Sequence, residues 1–105
     1  MNLQEKRKYN LLQLQDSFAP LEKNEDALFS NHLVVEVSEN LNIDDSKISL
    51  LLSIASSQNE NGMSFVVIKS GIDIDDFPET LNIVPTLQEA EDVLEMEAIE
   101  RDLGF

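Results

Sequence analysis

The sequence predicts an α/β fold with a mainly parallel sheet of four to five strands and helices packed on it. Two observations lead to this class. Short runs of Val, Ile and Leu, such as residues 33–37 and 63–69, are typical of buried parallel strands. Between them lie segments with apolar residues at helical spacing, and strands joined through helices lie parallel with right-handed crossovers. A length of 105 residues and a hydrophobic fraction of 42% predict a single domain with its own core.

The first half of the chain predicts strand, helix, strand. A strand is expected at residues 9–15, with Tyr9 and Leu11 on one face and Leu12 on the other. A helix is expected at residues 17–31, and the compact run at residues 33–37 suits a central strand.

The next helix has clear signals at both ends. Residues 44–46, Asp-Asp-Ser, are all good N-caps, and apolar residues follow at helical spacing over residues 45–60. Gly62 supplies the stop, because it can take the left-handed conformation that helix ends favour. Strands at residues 63–69 and 81–84 follow, separated by a short acidic turn.

The last helix is predicted to open with Thr86 and Glu89 at capping-box spacing and to run to Asp102, with Gly104 as its end. Its apolar residues form a stripe wider than one helix face against a sheet. We expect them to pack in the core of the monomer rather than in a dimer seam, although the second half of the helix can bend away or pair with another copy. They are Leu87, Ala90, Val93, Leu94, Met96, Ala98, Ile99 and Leu103, followed by Phe105.

Net charge is the outstanding bulk feature. Seven Lys and Arg residues against 21 Asp and Glu give −14, which repels nucleic acid and anionic membrane surfaces. The acidity either aids solubility alone or attracts a basic protein partner. No signal peptide or apolar run of membrane-spanning length is evident, and there are no cysteines, so a cytoplasmic protein is expected.

From residue 31 to about residue 96 the chain resembles a STAS domain, the fold shared by anti-sigma factor antagonists and the tails of sulfate transporters. HLVVEVSE resembles the family's buried strand before its signature loop, and LNIDDSKISLLLSIASSQNENG resembles the Asp-Ser-Ser-Gly-Leu turn with the helix that it opens. MSFVVIKSG and LNIVPTLQEAEDVL resemble the strand that follows and the last strand with its helix.

This resemblance implies a regulatory protein-interaction module of a bacterial cytoplasm that binds a partner through residues 38–49. The partner would be an anti-sigma factor or a serine-kinase-like protein, and the expected contacts are Asp44, Asp45, Ser46 and Lys47. If Asp44 matches the family's Asp, Ser46 falls on the serine that the partner kinase phosphorylates. If Asp45 matches instead, Lys47 takes that place and no hydroxyl remains.

Two departures from the family lie in this loop: Lys47 replaces a Gly, and Asp45 replaces a Ser. Asp44 and Asp45 already place negative charge beside Ser46 and would repel a phosphate there. We therefore hypothesise a binding surface without a working phosphorylation switch. The simpler alternative is that these residues only cap a helix.

Other candidate chemistry is sparse. His32 is the only histidine and suits a polar strand edge. The acidic cluster lacks the spacing of a calcium loop and suits a solvated turn; it consists of Asp73, Asp75, Asp76 and Glu79. No phosphate-binding loop or nucleophile elbow is evident, so we expect no catalytic residue, metal or cofactor. Two alternatives remain for the function: a structural subunit that assembles through its C-terminal helix, and a ligand-binding or enzymatic domain that uses its acidic residues. The expected oligomeric state is a monomer or a weak homodimer.

Overall fold

The structure, a computed structural model, describes residues 2–5, 9–22, 31–71, 75 and 77–103. The described residues form one five-stranded sheet, and its strands lie side by side in chain order: β1 (Asn2–Glu5), β2 (Asn10–Leu14), β3 (Leu33–Val37), β4 (Phe65–Ile68) and β5 (Ile83–Val84). Within the described residues three helices accompany it: α1 (Ala19–Glu22), α2 (Asp45–Glu60) and α3 (Leu87–Asp102).

The four strands β2 to β5 are parallel, and β1 is antiparallel to β2. The predicted fold class, an α/β fold with a mainly parallel sheet and packed helices, is therefore confirmed, and the arrangement is compatible with a STAS-like fold. The sequence pattern does not predict β1. Its residues contain one apolar side chain, Leu3, and so lack the alternation that identifies a half-buried strand.

One face of the sheet is covered by α1 and α2. The predicted alternation in β2 is confirmed, because Leu12 and Leu14 lie on this face. Leu21 of α1 and Leu51 of α2 pack against them and are almost fully buried. The remaining buried side chains of this cluster come mainly from the strands: Phe18, Leu33, Val35, Val37, Ile54, Phe65, Val67, Leu81 and Ile83.

The opposite face is covered by α3. Tyr9 and Leu11 lie on this side with Val34, Val66 and Ile68, and the buried Ala90 of α3 packs on them. Leu87, Val93 and Leu94 of the same helix are partly buried against this cluster. Because β3 and β4 are buried on both faces, they consist almost wholly of apolar residues.

The structure places α2 over the predicted residues and ends it with a Schellman motif. The amide of Met63 donates to the Gln58 carbonyl at 2.8 Å, and that of Gly62 donates to the Asn59 carbonyl at 3.1 Å. Gly62 has φ of 73°, a conformation that favours glycine because it has no Cβ.

The first predicted helix is only partly tested. Its described part begins at Ala19 instead of Ser17, whose hydroxyl accepts from the Ala19 amide at 3.2 Å. Asn31 lies outside any helix and uses its side-chain oxygen to accept from the His32 amide. Residues 23–30 lie outside the described residues.

The last helix, α3, begins after Thr86, as predicted, and runs continuously to Asp102. The Thr86 hydroxyl accepts from the Glu89 amide, whereas the Glu89 carboxylate accepts from that hydroxyl at 3.1 Å. The expected core packing of its whole apolar stripe is wrong for the outward-facing Met96, Ile99 and Leu103, which are exposed. Gly104 and Phe105 lie outside the described residues.

Candidate partner-binding site

The predicted site lies at the carboxyl edge of the parallel strands. The chain leaves β3 at Val37, and the Ser38 amide closes the ladder by donating to the Leu14 carbonyl at 2.9 Å. Leu41 and Ile43 then pack against the α1 and α2 side of the core before α2 begins. This edge is where open parallel sheets commonly place their binding loops.

Asp44 is the N-cap of α2. Its backbone is extended, with φ of −86° and ψ of −179°, and its Oδ1 accepts from the Lys47 amide at 3.0 Å. The same oxygen accepts from the Ser46 hydroxyl at 2.7 Å. The Ser46 hydroxyl and, after it, the Lys47 amide hold the pKa of the Asp44 carboxyl below its ordinary value, because both stabilise the charged form.

Asp44, Asp45 and Ser46 form one exposed acidic turn at the start of α2. We call these three residues the acidic cap. Asp45 lies in the first turn of the helix, where the helix dipole favours its negative charge. Within the described residues, no hydrogen bond or ion pair ties the Asp45 side chain to the rest of the domain, so its carboxylate is available at the surface.

Lys47, the fourth predicted contact residue, faces α1 instead. Its Nζ donates to Glu22 Oε1 at 2.8 Å and lies 5.4 Å from the centre of the Phe18 ring. The Glu22 carboxylate is the main cause that raises the pKa of the Lys47 ammonium. Lys47 therefore joins α1 to α2, and its ammonium also lies near enough to Asp44 of the acidic cap for the two charges to attract each other.

Lys69, which follows β4, is a residue that the sequence analysis missed. It is 7% exposed, and its Nζ donates to the carbonyls of Ser38 at 2.9 Å and Glu39 at 3.1 Å. The Ser70 hydroxyl adds a bond of 2.8 Å to the Glu39 carboxylate. Lys69 thus holds the start of the loop that carries the acidic cap. The available signal was a lysine directly after a buried strand at the carboxyl edge, beside the end of β3.

A cleft of about 530 Å³ lies next to Lys69 and Ser70. Its apolar walls are Ile43 and Phe77, and the acidic cap and Lys47 do not line it. The remaining lining residues are polar or small: Glu39, Asn42, Lys69, Ser70 and Gly71. The cap therefore lies on the exposed surface outside the cleft, which suits contact with another protein surface better than enclosure of a small ligand.

A second polar cluster lies at the opposite, amino edge of the sheet. The Ser64 hydroxyl donates to Glu97 and accepts from Arg101, and Asn82 donates to the other Glu97 oxygen at 3.1 Å. His32 Nδ1 accepts from the Ser64 backbone amide at 2.8 Å and does not contact the hydroxyl. This arrangement fastens α3 to the starts of β4 and β5, and it holds the Ser64 hydroxyl between the Glu97 carboxylate and the Arg101 guanidinium.

His32 in this cluster has a lowered pKa. Burial is the main cause, because it penalises the charged imidazolium, and the Arg101 guanidinium adds repulsion. The role predicted for His32, a polar residue at a strand edge, agrees with its position just before β3.

The acidic cluster at residues 73–79 is described only in part, since Asp73 and Asp76 lie outside the described residues. Asp75 and Glu79 are exposed. Among the residues that the structure covers, no group of three or more His, Cys, Asp or Glu side chains is placed to hold a metal ion. None of the helices in that same part of the chain has the length and apolar character needed to cross a membrane.

Comparison of the chain with protein-family models gave no match, and comparison with curated proteins gave none either.

Proposed function

We propose that the chain is a non-enzymatic regulatory module, similar to the anti-sigma factor antagonists of the STAS family, that captures a protein partner through residues 38–49. The STAS-like order of elements supports the family, and the acidic cap supports the surface. The partner class that this resemblance favours is an anti-sigma factor or serine-kinase-like protein.

The observation that carries the proposal is the exposed acidic cap, whose preceding loop is held by hydrogen bonds. Asp45 and Ser46 are exposed in the first turn of α2. The same helix is anchored in the core by the fully buried Leu51. Lys69 secures the preceding loop by two hydrogen bonds. A surface held in this way loses little conformational freedom on binding, which favours affinity.

The position of Ser46 supports a surface without a phosphorylation switch. Its hydroxyl lies 2.7 Å from a carboxylate oxygen of Asp44, so a phosphate on that hydroxyl would stand beside an existing negative charge. Ser46 phosphorylated in cells, together with altered partner capture, would overturn this part of the proposal.

The test replaces Asp45 by Lys and measures capture of the partner from extracts of the native host by quantitative mass spectrometry. Asp45 is the sharper target because Asp44 caps α2, so its reversal would also weaken the helix. Asp44→Asn keeps a capping side chain and removes only the charge. We expect both variants to lose most partner capture.

The matched control is Glu60→Lys, the same charge reversal at the exposed far end of α2. This variant should capture the partner as the wild type does, and all three variants should keep the wild-type circular dichroism spectrum. Unchanged capture by Asp45→Lys and Asp44→Asn would refute the proposed surface.

A further inference from the structure

The outward face of α3 carries three exposed apolar side chains. Met96 is 62% exposed, Ile99 54% and Leu103 66%. They lie at positions i, i+3 and i+7, so they form one continuous stripe along the helix. This spacing is the one by which helices present apolar anchors to another protein.

The rest of α3 shows why the stripe cannot turn into the core. Ala90, Val93 and Leu94 already occupy the face that packs on the sheet. Further along the helix, Glu97 and Arg101 bond to Ser64 at the start of β4. Because these contacts fix the rotation of α3 along its length, Met96, Ile99 and Leu103 face away from the domain.

Carboxylates surround the stripe. Asp92 and Glu95 precede Met96 and Ile99 by four residues, and Glu100 follows Met96 by four, which places each beside an apolar side chain. All three carboxylates are exposed. The cations of the described chain are used elsewhere: Lys47 binds Glu22, Lys69 binds loop carbonyls, and Arg101 binds Ser64 and Glu97.

We propose that this face of α3 docks a basic amphipathic helix of a partner protein, with apolar side chains on the stripe and Lys or Arg against its carboxylates. Charge complementarity selects this occupant. A second copy of the chain would bring carboxylates against carboxylates, with −14 on each molecule. The surface is independent of the acidic cap, because α2 and α3 lie on opposite faces of the sheet.

The test uses a defined probe, an 18-residue helical peptide with a leucine stripe and lysines on either side, titrated into the ¹⁵N-labelled full chain. We expect backbone amide shifts centred on residues 92–103, with binding that weakens as salt rises. The triple variant Met96→Gln, Ile99→Gln and Leu103→Gln should bind at least about tenfold more weakly, since it removes the apolar contact and leaves the charge unchanged.

Two further measurements separate the contribution of the carboxylates to binding from that of the apolar stripe. Glu95→Gln with Glu100→Gln should weaken binding and reduce its salt dependence. A peptide of the same composition with the leucines scattered around the helix should bind far more weakly than the probe. Asp45→Lys should bind the probe like the wild type, so this proposal is tested separately from the one for the acidic cap.

Several results would overturn the proposal. They are equal binding of the scattered peptide, amide shifts centred on residues 38–49, and absence of binding by the wild type. Self-association of the wild type that the triple Gln variant abolishes, measured by analytical ultracentrifugation, would identify a second copy as the occupant and would equally overturn it.

Discussion

At the scale of single residues, Lys69 has the clearest effect on the candidate site. Its ammonium reaches the Ser38 carbonyl, 31 residues earlier in the chain, and the Glu39 carbonyl beside it. A buried ammonium requires such acceptors, and the two carbonyls in turn gain a charged donor. The start of the loop is therefore held by a residue that directly follows the neighbouring strand β4.

Replacing Lys69 by Met keeps most of the length of the side chain and removes its donors. We expect amide hydrogen exchange at residues 38–44 to accelerate about tenfold, the effect of losing roughly 1.5 kcal/mol of charged hydrogen bonding. Exchange in β4 serves as the internal reference. Equal protection of the loop in the Met variant and the wild type would show that Lys69 does not hold it.

His32 predicts how stability depends on pH. Its folded-state pKa lies below the ordinary value of 6.5, so folding favours the neutral imidazole. This contribution to stability is complete above pH 6.5 and is lost as the pH falls through the lowered pKa, because the unfolded chain binds the proton more readily.

The chain has one histidine, so its NMR titration is unambiguous. We expect a midpoint below 6.5 and a difference in unfolding free energy between wild type and His32→Gln that shrinks as the pH falls below 6.5. A midpoint at or above 6.5 would contradict the effect of burial and Arg101 on this imidazole.

At the scale of elements, the two long helices start in the same way. Asp44 caps α2 and Thr86 caps α3, each by accepting from the amide three residues ahead. Both caps satisfy an amide that has no partner within the helix.

Thr86→Ala should lower the unfolding free energy by about 1 kcal/mol, since the Glu89 amide loses its acceptor. Thr86→Ser keeps the hydroxyl and is the matched control. Chemical denaturation followed by circular dichroism measures both variants. Equal destabilisation by Ala and Ser would mean that packing of the Thr methyl group matters and the cap does not.

The elements also show which features the sequence predicts. The bounds of β3 and α2 follow from local signals, namely the run Leu33–Val37, the cap at Asp44 and the stop at Gly62. The strand β1 does not, because an edge strand gains its order from backbone pairing with β2 and needs no apolar pattern.

The candidate site likewise has some features that the sequence predicts and others that it does not. The exposure of the acidic cap follows from its place at a helix start, whereas the use of Lys47 depends on how closely α1 approaches α2. The sequence likewise shows that Met96, Ile99 and Leu103 are apolar and share one side of a helix. It cannot say which face of that helix the sheet covers. These features require tertiary contacts that no local pattern contains.

At the scale of the whole molecule, the charge of −14 opposes compaction. We expect NaCl, raised from 20 mM to about 0.5 M, to increase the melting temperature by roughly 5 °C, as expected for screening of about 1 kcal/mol of repulsion in a domain of this size. Differential scanning calorimetry measures this shift.

The control for the charge effect neutralises three exposed carboxylates, with the substitutions Asp16→Asn, Glu60→Gln and Glu79→Gln. This variant should melt at a higher temperature in low salt and gain less from NaCl. A wild-type melting temperature that stays constant or falls with NaCl would show that repulsion among the carboxylates does not limit stability.

The shortness of β5 has a consequence for how other chains can approach. With two residues, Ile83 and Val84, it offers very few backbone amides and carbonyls as a template for an added strand. Intermolecular strand pairing, which leads to aggregation in many open sheets, is therefore disfavoured at that edge. Partners that approach from this side have to recognise side chains, and the identity of those side chains then determines specificity.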